Sequence, residues 1–300
     1  LTDSGHLRLT PEARSYDDID RLFKKGTMKM AVVIPPNFTQ NFLHGGDAQV
    51  QLIADGSEPN YASTLVAYAS QMIADFQREQ APPSQSPVSV ETRMLFNPQL
   101  KSAFLFVPGV MALILMLISA MMTSLTIARE KELGTMELLL VSPLHPLLIV
   151  VGKVVPYILL AFTDGMLVLA LGVFVFGMPI VGNLPMLLAM CVLFVLAALS
   201  LGVLISARAQ TQQQAMLMSL MGLMLPTVLL SDFIFPLKSM PLLLQILGNI
   251  SPARWFISIQ RDVMLKGVGW HFVWQEAAIL GGMTLTFLLL AMKNFKTRLT

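Results

Sequence analysis

Residues 102–128 hold no ionisable side chain, and further apolar stretches follow at about 148–176, 186–207, 214–231 and 271–292. A helix needs about 20 apolar residues to cross roughly 30 Å of hydrocarbon. Inside lipid no water is available to bond backbone N–H and C=O groups, so a spanning segment must satisfy them within itself, as a helix does. Five membrane-spanning helices are therefore expected, the first at about 104–128, after Asn97-Pro98 and Lys101. Gly177-Met178-Pro179 and Gly182-Asn183-Leu184-Pro185 break the second from the third. Arg208 and the polar Gln210-Thr211-Gln212-Gln213-Gln214 separate the third from the fourth, and Lys293, Lys296 and Arg298 close the last. The chain is 55% hydrophobic and 13% charged, where soluble domains carry about 25% charged residues.

The first hundred residues are of a different kind. They carry 8 Lys/Arg and 11 Asp/Glu, a net of −3, whereas residues 101–300 carry 12 and 7, a net of +5 gathered mostly at the ends of apolar runs. A water-soluble domain over 1–96 and a membrane domain over 97–300 are expected. In the first, Met28–Pro35 and Gln49–Ala54 have the composition of strands. Asp17–Lys25 and Asn60–Gln80 have helical spacing, the latter with Leu65, Tyr68, Ala69, Met72, Ile73 and Phe76 recurring every three or four residues. Residues 81–87 form a polar, proline-rich linker, and Val88–Phe96 alternates like one more strand.

Short loops set the orientation. Arg129, Lys131 and Lys153 follow the first span, Arg208 follows the third, and three cations lie in the C-terminal tail, while the loop between the second and third spans has no charge. The positive-inside tendency puts the first two groups and the C-terminus in the cytoplasm, and with five spans it puts residues 1–100 outside. Cations in 232–270 count mildly against this. The chain begins at Leu1 with no signal peptide, so an upstream transmembrane helix, making six, is expected to carry the first domain across. Residues 232–270 fit no simple span. Apolar pieces of 10–15 residues are cut by Pro236, Pro241 and Pro252, as in re-entrant or interfacial helices, and Trp255 and Trp270 suit the aromatic belt at a membrane surface.

Between the first two spans lies one charged segment, Arg129-Glu130-Lys131-Glu132-Leu133-Gly134-Thr135-Met136-Glu137-Leu138-Leu139-Leu140-Val141-Ser142-Pro143. Each ionised group would cost several kcal/mol in lipid, and the segment is too short for a domain. An inter-span loop needs Lys and Arg but not interleaved glutamates beside an apolar stripe. A helix over 129–143 at the cytoplasmic surface, open to another protein, is the economical expectation. Ser142-Pro143 would stop it, because proline disfavours helix in the residue before it, and His145-Pro146 repeats the stop.

This segment resembles the permeases of the ABC-2 family of ATP-binding-cassette transporters. The resemblance rests on Arg-Glu-Lys-Glu-x-Gly-Thr followed by Glu-x-Leu-Leu-x-x-Ser-Pro, here Arg129 to Pro143, together with Asn97-Pro98, Pro108-Gly109, and Ser251-Pro252-Ala253-Arg254-Trp255-Phe256 with Arg261. It covers residues 28–300 and is nearest to bacterial multidrug-efflux permeases with a large external domain. It implies an α-helical membrane protein with an α/β extracytoplasmic domain in the bacterial inner membrane. It also implies a second permease subunit, identical or related, and a nucleotide-binding subunit that carries ATP and magnesium. A periplasmic adaptor protein is a further implied partner. Arg129, Glu130, Lys131, Glu132, Gly134, Thr135, Glu137, Ser142 and Pro143 would form the coupling helix that docks on the ATPase subunit. Gly134 and Thr135 would allow close backbone approach, the charged residues would offer ion pairs, and Leu138–Leu140 would supply an apolar face.

No enzyme or cofactor site is expected in the chain itself. Gly152-Lys153 follows Leu147–Val151 without the glycine spacing of a phosphate-binding loop, and there is no GxSxG or HExxH. His6, His44, His145 and His271 are scattered, and Cys191 is the only cysteine, expected as a packing residue. No basic run with interleaved aromatics points to nucleic acid. Asp164 is the one ionisable residue deep in a span. Intramembrane carboxylates mark translocation paths or proton relays, yet for a single carboxylate with no visible partner a packing or helix-cap hydrogen bond through Thr163–Asp164–Gly165 is the favoured account. Met216, Met218, Met221 and Met224 suggest adaptable packing rather than Cu(I) binding. Ser119/Thr123 and Ala198/Gly202/Ser206 have the spacing of close helix contacts, at a subunit seam or within one chain. Two rival readings are a membrane-anchored sensor whose charged helix recruits a cytoplasmic protein, and a transporter driven by protons through Asp164. The second predicts inverted repeats, which the sequence does not display.

Overall fold

The computed structural model describes residues 13, 15–44, 46–80, 88–135, 146–237 and 240–294. It divides into two compact units, Leu1–Leu105 and Phe106–Thr300, each taken by itself below.

The first unit is a three-stranded sheet with helices. Its order is α1 (Tyr16–Lys24), β1 (Met30–Val33), α2 (Phe38–Leu43), β2 (Gln49–Asp55), α3 (Pro59–Gln80) and β3 (Ser89–Leu95). β1 runs antiparallel to β2, with Met30 opposite Ala54, and β2 runs parallel to β3, with Gln49 opposite Ser89. A parallel pair needs a crossover, and α3 supplies it. Side chains alternate between the sheet faces. Ala31, Val33, Ile53 and Leu95 pack with Ile19 and Phe23 of α1. Met30, Val32, Val50, Leu52 and Val90 pack with Phe38 and Phe42 of α2 and Val66, Ala69 and Ile73 of α3. The expected strands and the two longer helices are therefore present. The short α2, whose Phe38 and Phe42 rings stack at 5.8 Å, was not legible in the sequence. At the end of β2, Asp55 is buried and accepts from the N–H and hydroxyl of Ser57, while Lys29 Nζ bridges Asp55 Oδ2 at 3.3 Å and Glu58 Oε1 at 2.9 Å. Burial alone would lower the Lys29 pKa, but the two carboxylates outweigh it and raise the ammonium above its ordinary value.

The second unit is helical, with five helices among the described residues long and apolar enough to cross a membrane. They are α4 (Ala103–Glu132), α5 (Pro146–Phe174), α6 (Leu184–Arg208), a fourth span built from α7 (Gln212–Ser219), a π-helical turn at Leu220–Met224 and α8 (Leu225–Leu230), and α11 (Trp270–Asn294). Ends follow local signals. Asn183 caps α6 by accepting from Met186 N, Thr211 caps α7 by accepting from Gln214 N, and Gly177 leaves α5 with φ +63°.

Before the last span, α9 (Leu242–Asn249) and α10 (Pro252–Met264) meet at a bend of 82°, so neither is a full-length span. This bent pair occupies the region expected to be re-entrant or interfacial. Pro252 opens α10, Phe256 stacks on Phe194 of α6 at 4.3 Å between ring centres, and Val181 N bonds Met264 O. Arg261 is buried and donates to the Asp232 carbonyl at 2.7 Å, tying α10 to the end of the fourth span. The Trp255 indole donates to Asn249 O, and Trp270 is exposed.

Small residues let the spans approach within this one chain. A Cβ at Gly202 of α6 would stand 2.5 Å from the Ala120 carbonyl oxygen of α4, and one at Gly172 of α5 would stand 2.7 Å from Val107. The Ala198/Gly202/Ser206 stripe is thus used at least partly inside the subunit. The methionines of the fourth span are not packed in the chain's interior: Met216, Met218, Met221 and Met224 are all exposed. Cys191 is buried.

Candidate functional site

The charged segment begins inside α4 rather than as a separate helix, and helical backbone resumes at Thr135. α4 continues through Arg129–Glu132, which form its last turn, and ends at Gly134, whose φ is +72°. Glycine just past a helix end takes the left-handed conformation at little cost, and Leu133 N bonds Arg129 O across the final turn. Among the described residues a Cβ at Gly134 would meet nothing within 4 Å, so its local role is to stop the helix. Glu137, Ser142 and Pro143, with the Leu138–Leu140 face, lie outside the described residues.

Two of the charged side chains turn back onto the protein. Lys131 is half-buried, and its Nζ donates to the Ser206 carbonyl at 2.5 Å, in the last turn of α6. Glu132 Oε2 accepts from the Gln212 backbone N–H at 2.9 Å and from the Gln212 side-chain amide at 3.1 Å, at the first residue of α7. The unpaired carbonyls at a helix C-terminus favour a cation, and the unpaired N–H groups at an N-terminus favour an anion. Adjacent residues of opposite sign therefore sit at the matching poles of two consecutive helices and bracket the turn Ala209–Thr211 between them. Beneath this bracket Ala128, Ala209 and Ala215 form a fully buried cluster. One level further in, Ser124 Oγ and Ser219 Oγ pair at 2.8 Å, and Ile127, Val203 and Ala291 join α4, α6 and α11. Thr126 Oγ1 meets the Tyr157 hydroxyl of α5 at 2.5 Å.

Arg129, Leu133, Gly134 and Thr135 are exposed at the tip, Leu133 at 62%, and Thr135 Oγ1 donates to Glu130 O at 3.3 Å. Lys131 and Glu132, expected to offer ion pairs to a partner, are both engaged by helix ends of the same chain, and Glu132 stays exposed while so engaged. Ser206, Thr211 and Gln212 belong to the site although sequence reasoning did not select them. The only signal was the polar knot at 210–214, read as a span boundary.

Asp164 lies elsewhere, half-buried in the middle of α5. Thr163 Oγ1 donates to Leu159 O of its own helix, and Gly165 faces Leu115 of α4. Among the described residues no group of three or more His, Cys, Asp or Glu is placed to hold a metal.

Comparison with known proteins returns one family and several relatives. The model of the ABC-2 family transporter proteins matches residues 2–293. The probable multidrug ABC transporter permease YbhS of Escherichia coli K12 is 34% identical over 272 residues, covering 89% of this chain and 72% of that relative. The probable multidrug ABC transporter permease YbhR of the same strain is 33% identical over 249 residues, covering 82% and 67%. The inner membrane transport permease YhhJ of E. coli K12 is 31% identical over 295 residues, covering 96% and 78%. No solved structure matches the chain.

Proposed function

The chain belongs to the ABC-2 transporter family, and from that premise we propose that it is the permease subunit of an exporter driven by ATP hydrolysed in a separate nucleotide-binding subunit. The chain supplies the path; ATP and magnesium are held by the partner. A second permease subunit, identical or related, completes the path through the bacterial inner membrane. The N-terminal α/β unit lies outside, where it is available to a periplasmic adaptor, and the C-terminus lies in the cytoplasm.

One observation carries this reading. The end of α4 presents Arg129, Leu133, Gly134 and Thr135 to solvent beside the end of α6 and the start of α7, and residues 136–143 continue from it. ATP-driven closure of the nucleotide-binding pair would push this segment, and the spans would re-pack to open outward. Substrates are amphipathic or lipid-like, in keeping with the exposed Leu, Met, Val and Phe of the spans. Asp164 is a candidate lining residue of the path.

The test is to purify the full-length protein with its ATP-binding-cassette subunit, reconstitute the complex and measure ATP hydrolysis and efflux with Gly134 or Leu133 replaced. Leu133→Glu is expected to release the ATPase subunit. Transport that persists without nucleotide sinks the reading in favour of a proton-driven carrier. A chain that binds a cytoplasmic protein but moves nothing is a sensor.

A further inference from the structure

We propose that Lys131 and Glu132 are positioning residues that carry movement of the charged segment into α6 and α7, and are not contacts for the ATPase subunit; this rests on the driving role proposed above. A segment pushed from outside moves a span only if something stiff joins them. Here the joint is the bracket over the α6–α7 turn. Lys131 holds the carboxyl end of α6 through Ser206 O, and Glu132 holds the amino end of α7 through both donors of Gln212. Each charge faces the helix pole of opposite sign.

The ground under the bracket allows little slack. Ala128, Ala209 and Ala215 meet with 0% exposure, so α4, the turn and α7 touch through methyl groups, with no long side chain between them to yield. The Ser124–Ser219 hydrogen bond joins α4 to α7 a second time, about two turns deeper. A push on Leu133 and the residues after it therefore reaches the third and fourth spans together. Glu132 is exposed, but its Oε2 is taken up by Gln212, which leaves Arg129, Leu133, Gly134 and Thr135 at the tip to grip the partner.

Gln212→Glu tests this without touching the tip. It keeps the Thr211 cap, and an acid in the first turn of a helix suits α7 itself, but it sets a second carboxylate against Glu132. The paired change Glu132→Gln with Gln212→Glu restores a side-chain hydrogen bond with the roles reversed. Spin labels on cysteines placed at Leu133 and Gln213 report the separation, and the buried Cys191 does not compete for label. In the full-length protein without nucleotide, a narrow distance distribution is expected for the parent, a broad one for Q212E, and a narrow one again for the swap. In the reconstituted complex, ATP hydrolysis stimulated by the permease should fall about tenfold in Q212E, within the usual range for coupling between sites, and recover in the swap. Parent-like distances and rates in Q212E overturn the proposal, as does a swap that rescues neither. A parent chain that retains no ATPase subunit overturns the driving role and with it the transmission, while the nucleotide-free distances still judge the bracket by itself.

Discussion

Replacing Gly202 by alanine should weaken the membrane unit although it improves the local helix. In an exposed helix the change gains about 1 kcal/mol from propensity. At Gly202 the added Cβ meets Ala120 O at 2.5 Å, Cα at 2.9 Å and the carbonyl carbon at 3.0 Å. All three atoms are α4 backbone, which cannot rotate aside as the tip of a side chain could. To restore an ordinary 3.4 Å contact the two helices must part by about 0.9 Å at this point, and close-packed interiors resist such displacement. Overpacking costs about 1–3 kcal/mol, and against backbone that cannot rotate aside the cost falls in the upper part of that range, about 2–3 kcal/mol, so the net loss should be about 1–2 kcal/mol once the propensity gain of about 1 is subtracted. A unit of this size shifts roughly 2–4 °C per kcal/mol, which puts the melting temperature of the full-length protein in detergent about 2–8 °C below the parent. Gly281→Ala in α11 is the control, since nothing lies within 4 Å of its Cβ position, and it should melt at or slightly above the parent. Parent-like melting of G202A, or an equal loss in G281A, would refute the close approach of α4 and α6.

Three more expectations follow from particular residues. Gly134→Ala forces a side chain into the left-handed region, at about 1–2 kcal/mol, so the helix end should fray and ATPase stimulation should drop in the reconstituted complex while Gly152→Ala, with open space around it, has no such effect. Lys29→Met takes the cation away from the buried Asp55 carboxylate and from Glu58, leaving Asp55 its Ser57 donors, and should cost the N-terminal unit about 1.5–3 kcal/mol, read by hydrogen exchange at β2 amides of the full-length protein. Because the folded pKa of Lys29 lies above its ordinary 10.5, its contribution is fully present below pH 10.5 and is lost as pH rises through the folded value, so the gap between parent and K29M should stay constant from neutral pH to about 10 and narrow only above it. Asp164→Asn removes no partner within the described chain and should leave the melting temperature within about 0.5 kcal/mol of the parent; a larger fall would mean that the carboxylate is a packing element and not a lining residue.

Much of the fold was legible because its signals are local. Residues 102–128 contain no charge, and the requirement for internal hydrogen bonding in lipid leaves such a run no alternative to a helix. Asn183, Thr211 and Gly177 mark helix ends by their own chemistry. In the N-terminal unit, alternation along Gln49–Ala54 and the three-to-four spacing in Asn60–Gln80 identify a strand and a helix. α2 was missed because six residues hold fewer than two helical turns, too few for a period to stand out. The candidate site was half legible. Arg129, Gly134 and Thr135 lie in the expected charged segment and are exposed. Arg129–Glu132 are good helix formers, so α4 runs through them until Gly134 stops it, and helix resumes at Thr135.

Hydropathy and charge distribution by themselves determined five apolar spans following an α/β unit, and the motif at 129–143 carried the resemblance to ABC-2 permeases, since each depends only on neighbours along the chain. The tertiary structure alone decided what Lys131 and Glu132 touch. Their partners Ser206 and Gln212 lie 75 and 80 residues away, and only the packing of α4 against α6 and α7 brings a helix C-terminus to the lysine and a helix N-terminus to the glutamate. A charge facing water and a charge facing a helix pole look alike in a sequence, because the pole is a property of aligned peptide groups that exists only once the helices are formed and docked.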